Sequence, residues 1–161
     1  MSDADRCYAA AIRILGHRFN SVAELRLKLR AKKFEREIID ETINRLSSEK
    51  WLDDERFAGA FVRTRQNKKI GPRRISRELA AAGVDRETAR NVIAEHADEE
   101  RELSDLTALC EKRKRLLIRR HGLQYLETAE GRKKLAGYLL NHGYDAALIQ
   151  RVIKEIPVVD D

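Results

Sequence analysis

The chain has 161 residues, the usual size of one domain, and 37% of them are charged, against about 25% in an average protein. Eight glycines and two prolines are too few for an all-β sandwich or barrel, which needs a turn about every ten residues. Lysine and arginine outnumber aspartate and glutamate by 33 to 27, and this net charge of +6 favours a polyanionic partner.

One pattern of apolar residues occurs three times along the chain. In the first copy, leucines and isoleucines at four-residue spacing lie on both sides of Lys33-Phe34-Glu35. The same spacing returns 50 residues later around Gly83-Val84-Asp85, and 60 residues after that around Gly143-Tyr144-Asp145. Apolar residues four positions apart mark one buried face of a helix. Each copy therefore predicts two helices joined by a tight turn.

The turn residues predict how each pair of helices is joined. Gly83 and Gly143 stand where a helix ends in the left-handed region, a conformation that glycine adopts without strain. Lys33 replaces the glycine in the first copy, so we expect strain or a different shape there. The acidic residue two positions later is predicted to cap the next helix, although Glu35 is a poorer cap than aspartate.

A further helix is predicted before each pair, at about 5–16, from Asp53 onwards, and at about 102–120. Ser21 with Glu24 forms a capping box for the second helix of the first copy, and Gly71-Pro72 opens its equivalent in the second copy. We predict an all-α fold of three tandem three-helix repeats at 1–50, 51–97 and 98–161. Repeats this small have limited cores, so we expect them to pack end to end as an elongated, curved array.

Positive charge is concentrated in two runs that contain no acidic residue. The first joins a helix end, a loop and a helix start, and it holds Arg63, Arg65, Lys68, Lys69, Arg73, Arg74 and Arg77. The second consists of Lys112, Arg113, Lys114, Arg115, Arg119 and Arg120. We favour a contact surface for the first run, where main-chain N–H groups near Arg73 and Arg74 would add to the attraction for anions. For the second run, a contact surface and a merely solvated helix face are equally supported.

No constellation of residues predicts catalysis, a metal or a cofactor. Asp53, Asp54 and Glu55 are consecutive, so they cannot all face one ion from a regular helix, and helix capping explains them. The four histidines form no metal-binding pair. Cys7 and Cys110 are predicted to be buried free thiols. We interpret Trp51 as a residue that packs between repeats rather than as a platform for nucleobases.

Several motifs together resemble the RecX family of recombination regulators over nearly the whole chain. They are Ser21-x-x-Glu24-Leu25-Arg26-x-Lys28-Leu29, Leu52-Asp53-Asp54-Glu55-Arg56-Phe57-Ala58-x-x-Phe61-Val62-x-x-Arg65, Gly71-Pro72-Arg73-Arg74-Ile75-x-x-Glu78-Leu79 and Gly143-Tyr144-Asp145. The resemblance implies a cytoplasmic regulator that binds the RecA recombinase and its filament on single-stranded DNA, and the lack of a catalytic constellation predicts that it is not an enzyme. The resemblance also implies inhibition of strand exchange, ATP hydrolysis and co-protease activity, and so restraint of recombination and the SOS response.

Two other classes of function remain open at this stage. A free-standing helical DNA-binding regulator would use the helix that starts at Pro72, although no residue pattern there marks base-specific contacts. A passive protein-binding scaffold is the weaker alternative. Contact with naked DNA is expected to be weak and independent of sequence. The absence of an apolar run of about 18 residues predicts no membrane partner, and the acidic start 1–5 predicts no secretion signal.

Overall fold

A computed structural model describes residues 1–155, and these form nine α-helices without a β-strand. A 3₁₀ helix, Leu123–Glu127, lies between the seventh and eighth α-helices. The all-α prediction is confirmed. The helices are α1 (Asp3–His17), α2 (Val22–Ala31), α3 (Arg36–Ser48), α4 (Asp54–Asn67), α5 (Pro72–Ala81), α6 (Arg86–Glu95), α7 (Glu99–His121), α8 (Ala129–Asn141) and α9 (Ala146–Glu155).

The helix starts follow the capping signals in the sequence. The Ser21 hydroxyl accepts the Glu24 N–H at 3.0 Å, and the Glu24 carboxylate accepts the Ser21 N–H at 3.3 Å. Asp85 accepts the N–H of Thr88 at 3.0 Å, whereas Glu35 makes no side-chain cap hydrogen bond. The longer side chain of glutamate explains this difference, because it fits the short capping geometry less well.

The three turns share one backbone conformation. Gly83 and Gly143 have φ values of +81° and +93°, and Lys33 has a φ of +68°. The first turn therefore keeps the shape of the other two, and its lysine bears the strain of a side chain in the left-handed region, about 1–2 kcal/mol.

Contacts divide the described chain into two compact units. The first unit consists of Met1–Arg63 with Ser76–His96, and the second consists of Thr64–Ile75 with residues 97–155. One apolar cluster in the first unit includes Leu25, Leu29 and Ile39, together with the free thiol of Cys7. A second cluster, in the second unit, includes Leu135, Leu139 and the free thiol of Cys110. The division into three repeats at 1–50, 51–97 and 98–161 stays a prediction from the sequence.

Each unit contains a helix start that packs against one of the tight turns. In the first unit, the hydroxyl of Ser21, before α2, donates to the carbonyl of Ala82 at 2.5 Å. In the second unit, the N–H of Gly71, before α5, donates to the carbonyl of His142 at 2.7 Å. A methyl group at Gly83 would overlap the side chain of Ala23. Glycine is thus needed at this turn for close approach as well as for its positive φ.

Candidate polyanion-binding surfaces

The first basic run is divided between the two units. Arg63 and Arg77 belong to the first unit, and the five residues from Arg65 to Arg74 belong to the second. The side chains of Arg63, Lys68, Arg73 and Arg77 are exposed, whereas those of Arg65, Lys69 and Arg74 are half-buried. All seven therefore have some access to solvent, and each unit presents its own share of the charge.

The loop in the second unit is built around the turn that follows α4. Lys69 adopts a left-handed φ of +55°, and the N–H of Ile70 donates to the carbonyl of Arg65 at 3.0 Å. The hydroxyl of Tyr144 donates to the carbonyl of Lys69 at 3.0 Å. Burial raises the pKa of Tyr144, which favours the protonated hydroxyl that donates this bond. Two hydrogen bonds to main-chain carbonyls therefore hold this loop, one from within the loop and one from Tyr144.

The start of α5 offers an anion fewer main-chain N–H groups than the sequence predicts. The N–H of Arg73 donates to the carbonyl of Gly143 at 3.0 Å, so this group is not available to an external anion. The guanidinium of Arg73 forms an ion pair with Asp145 at 2.9 Å, and that of Arg74 donates to the carbonyl of Asn141 at 3.4 Å. The prediction that main-chain N–H groups add to an anion site here is wrong for Arg73. What this helix start offers a partner is the exposed part of its arginine side chains.

The second basic run lies near the end of α7, in the second unit. Lys112, Arg115 and Arg119 are exposed and follow one another at spacings of three and four residues, which places them along one helix face. Arg120 is also exposed, while the Arg113 guanidinium lies 4.8 Å from the centre of the Tyr138 ring. This cation–π contact turns Arg113 toward α8. The exposed face of α7 therefore holds a stripe of three cations.

Lys114 was predicted as a contact residue of the second basic run, and the structure contradicts this prediction. The residue is buried, with 7% exposed, so it cannot form part of a contact surface. Three further exposed cations were not predicted, although they form a plain run of basic residues in the sequence. Arg132, Lys133 and Lys134 are all exposed at the start of α8, in the same unit as α7.

Asp53, the first residue of the acidic trio, caps the start of α4. The carboxylate of Asp53 accepts the N–H groups of Glu55 at 2.9 Å and Arg56 at 3.1 Å, as predicted. Asp54 has an unpredicted partner, because it accepts the N–H of Val22 from the start of α2 at 2.8 Å. Burial raises the pKa of Asp54, although the hydrogen bond from Val22 opposes the shift. Within residues 1–155, no group of three His, Cys, Asp or Glu side chains could hold a metal ion.

Two further predictions have contrasting outcomes. Cys7 and Cys110 are buried free thiols, as predicted, and burial raises the pKa of Cys110. The packing interpretation of Trp51 is wrong, because 58% of the residue is exposed. None of the described helices is long and apolar enough to cross a membrane.

The two domain models that match this chain both describe the RecX family. The model of the first three-helix domain of RecX matches residues 7–46, and that of the second matches residues 53–93. The regulatory protein RecX of Trichlorobacter lovleyi is 32% identical over 92% of this chain and 94% of its own length. That of Halalkalibacterium halodurans is 29% identical over 97% of this chain, and the match spans 56% of its own length.

Solved structures of RecX proteins are also similar to this chain. The crystal structure of RecX from Lactobacillus salivarius has a TM-score of 0.78 and 27% sequence identity, covering 95% of this chain and 96% of its own. A second RecX crystal structure, at 18% identity, shares the fold with a TM-score of 0.79. The chain belongs to the RecX family of regulatory proteins.

Proposed function

We propose that this protein binds the RecA recombinase and its filament on single-stranded DNA, and that it inhibits strand exchange, ATP hydrolysis and co-protease activity. It would thereby restrain recombination and the SOS response in the cytoplasm. The observation that carries this proposal is membership of the RecX family, supported by 32% identity to a regulatory protein RecX over 94% of that protein's length.

The charge distribution supports a polyanionic or acidic partner. The exposed arginines of α5 and the cationic stripe of α7 consist of side chains that keep access to solvent. Such side chains attract acidic protein surfaces and DNA phosphates by long-range electrostatics, which raises association rates and makes binding sensitive to salt. Contact with naked DNA would then be weak and independent of sequence.

Inhibition by this route needs no catalytic group. A protein that binds one state of a filament more tightly than another shifts the equilibrium between the two by its difference in affinity. Binding to RecA protomers in the filament would therefore change filament growth and ATP turnover. We accordingly propose a regulator without enzymatic activity of its own.

A RecA ATPase assay on single-stranded DNA tests the proposal. We expect the purified protein to inhibit hydrolysis when fewer molecules of it than of RecA are present, because one bound molecule would affect a growing filament. Unchanged hydrolysis at equimolar protein would refute the proposal. A preference for one duplex sequence that persists at raised salt would instead support a free-standing DNA-binding regulator.

A further inference from the structure

A groove in the first unit holds two exposed aromatic rings that the proposed function leaves unexplained. Phe19 and Trp51 are 50% and 58% exposed, and both line a groove of about 480 Å³. Ile12 and Leu15 of α1 line the same groove. Large aromatic rings usually contribute to the core. Two exposed rings that line one open groove therefore indicate a binding site.

Hydrogen bonds hold the loop that carries Phe19. Asn20 is buried, and its side-chain amide donates to the carbonyl of Arg18 at 2.8 Å. The ammonium group of Lys28 donates to the Asn20 side-chain oxygen at 2.6 Å. The guanidinium of Arg18 donates to the carbonyl of Phe19 at 2.7 Å. The Phe19 ring therefore stands on an ordered loop, and little conformational entropy is lost when a ligand contacts it.

The backbone that leads into Trp51 is also fixed. Lys50 has a left-handed φ of +61°, and the N–H of Trp51 donates to the carbonyl of Leu46 at 2.9 Å. The next residue, Leu52, is buried. The turn thus anchors the chain on one side of Trp51 while the indole itself stays at the surface.

The charges around the groove are mainly positive. The guanidinium carbon of Arg56 lies 5.4 Å from the centre of the Phe19 ring, and the same group donates to the carbonyl of Lys50 at 3.2 Å. Glu49 also lines the groove, but its carboxylate accepts hydrogen bonds from Tyr8 and, at 2.8 Å, from Arg45. Since Arg45 offsets that charge, Lys50 and Arg56 supply the charge at the groove.

We propose that this groove binds single-stranded DNA, with nucleobases stacked on Trp51 and Phe19 and phosphates held by Lys50 and Arg56. Aromatic faces beside cations are the combination that holds unpaired nucleotides, and every base has a face that can stack. An apolar peptide would use the rings but leave both cations without a counterpart. The choice of DNA over RNA rests on the proposed function, whereas the stacking site rests on the groove itself.

The single tryptophan of the sequence gives a direct readout of this site. Protein labelled with 5-fluorotryptophan carries one fluorine, at Trp51, and is titrated with a twelve-nucleotide thymidine strand. An abasic strand of the same length and charge is the control. We expect the thymidine strand to bind at least fivefold more tightly, about 1 kcal/mol, and to shift the fluorine resonance clearly more than the abasic strand does at saturation.

Variants separate stacking from charge attraction. With fluorescently labelled strands, Trp51→Ala and Phe19→Ala should each weaken thymidine binding at least fivefold and leave abasic binding unchanged. Leu27→Ala is the matched control, because Leu27 is an exposed apolar residue of the same unit outside the groove. It should change neither affinity.

Other occupants of the groove would give different results, and each would overturn the proposal. Equal affinity for the two strands with an unmoved resonance rules out stacking. A resonance that moves with RecA and not with the thymidine strand assigns the groove to a protein partner, and one that moves with protein concentration assigns it to a second copy. The DNA titrations contain no RecA, so their failure leaves the proposed RecA inhibition standing. Conversely, loss of that inhibition would leave a positive result here intact.

Discussion

The hydroxyl of Tyr144 donates a hydrogen bond to the main-chain carbonyl of Lys69, 75 residues earlier in the chain, at 3.0 Å. Tyr144 is buried, with 2% of the residue exposed, and the bond ties the loop before α5 to the turn before α9. This hydrogen bond connects two parts of the second unit that are distant in sequence. The chain around the loop that it holds also carries exposed cations.

Removing this hydroxyl should destabilise the protein. Tyr144→Phe keeps the ring and leaves the Lys69 carbonyl without this donor, so we expect a loss of about 1–2 kcal/mol in the free energy of unfolding. Denaturant unfolding measures it. Tyr125→Phe is the control, because the Tyr125 hydroxyl bonds to Glu130 at an exposed position and its removal should cost little. Equal losses in the two variants would contradict the structural role of Tyr144.

Gly143 should tolerate no side chain. Gly143→Ala places a methyl group in a left-handed backbone, where it overlaps the main chain and side chain of Arg74. Strain and overlap together should lower the free energy of unfolding by roughly 2–5 kcal/mol. Gly137→Ala, within α8, has nothing within 4 Å of the new methyl group and should stabilise by about 0.5–1 kcal/mol. A loss at position 137, or none at 143, would count against this explanation.

The buried leucines of the repeated pattern should contribute to stability. Leu79 and Leu139 are fully buried, so Leu79→Ala and Leu139→Ala should each cost roughly 2–5 kcal/mol in the free energy of unfolding. The neighbouring Leu140 is exposed, and Leu140→Ala should change stability little. Losses below about 0.5 kcal/mol at Leu79 or Leu139 would contradict the alignment of the repeats.

Charge reversal on α5 should weaken inhibition of RecA. Arg73 and Arg77 are exposed and four residues apart, so we expect Arg73→Glu with Arg77→Glu to reduce inhibition of the RecA ATPase at least tenfold, about 1.4 kcal/mol. Stability should change by about 1 kcal/mol or less, because the ion pair with Asp145 is exposed.

A matched pair of arginines on α6 provides the control for charge. Arg86 and Arg90 are exposed, four residues apart and outside both basic runs, so Arg86→Glu with Arg90→Glu should leave inhibition unchanged. Equal effects of the two double variants would show that net charge alone acts. Wild-type inhibition by the α5 variant would exclude this surface, and the stripe of α7 would be the next to reverse.

The stability contributed by Asp54 should depend on pH. Its pKa in the folded protein is raised above the ordinary value of 3.8, so folding favours the protonated form and ionisation lowers stability as pH rises. Asp54→Asn retains an oxygen for the Val22 N–H and removes the charge. The variant should therefore be at least as stable as the wild type at pH 7. The difference should shrink as pH falls through the raised pKa and vanish below 3.8. Unfolding measured at several pH values checks this, and a variant that is less stable at pH 7 would contradict it.

The sequence by itself determined the helices, most of their caps and the left-handed backbone of the two glycine turns. The capping box of Ser21 with Glu24, the left-handed turns at Gly83 and Gly143, and the burial of Leu79 and Leu139 all agree with the structure. These features depend on residues within a few positions of one another. Local periodicity and backbone preference therefore suffice to predict them.

The tertiary structure alone decided which of the predicted surface groups remain accessible. The pairing of Arg73 with Asp145, the burial of Lys114 and the exposure of Trp51 are not visible in any local pattern. The bond from Val22 to Asp54 likewise joins two helix starts that the sequence predicts separately. Each of these depends on which helix faces and turns meet after folding. A charge or a ring has the same local pattern whether a distant segment covers it or leaves it in solvent.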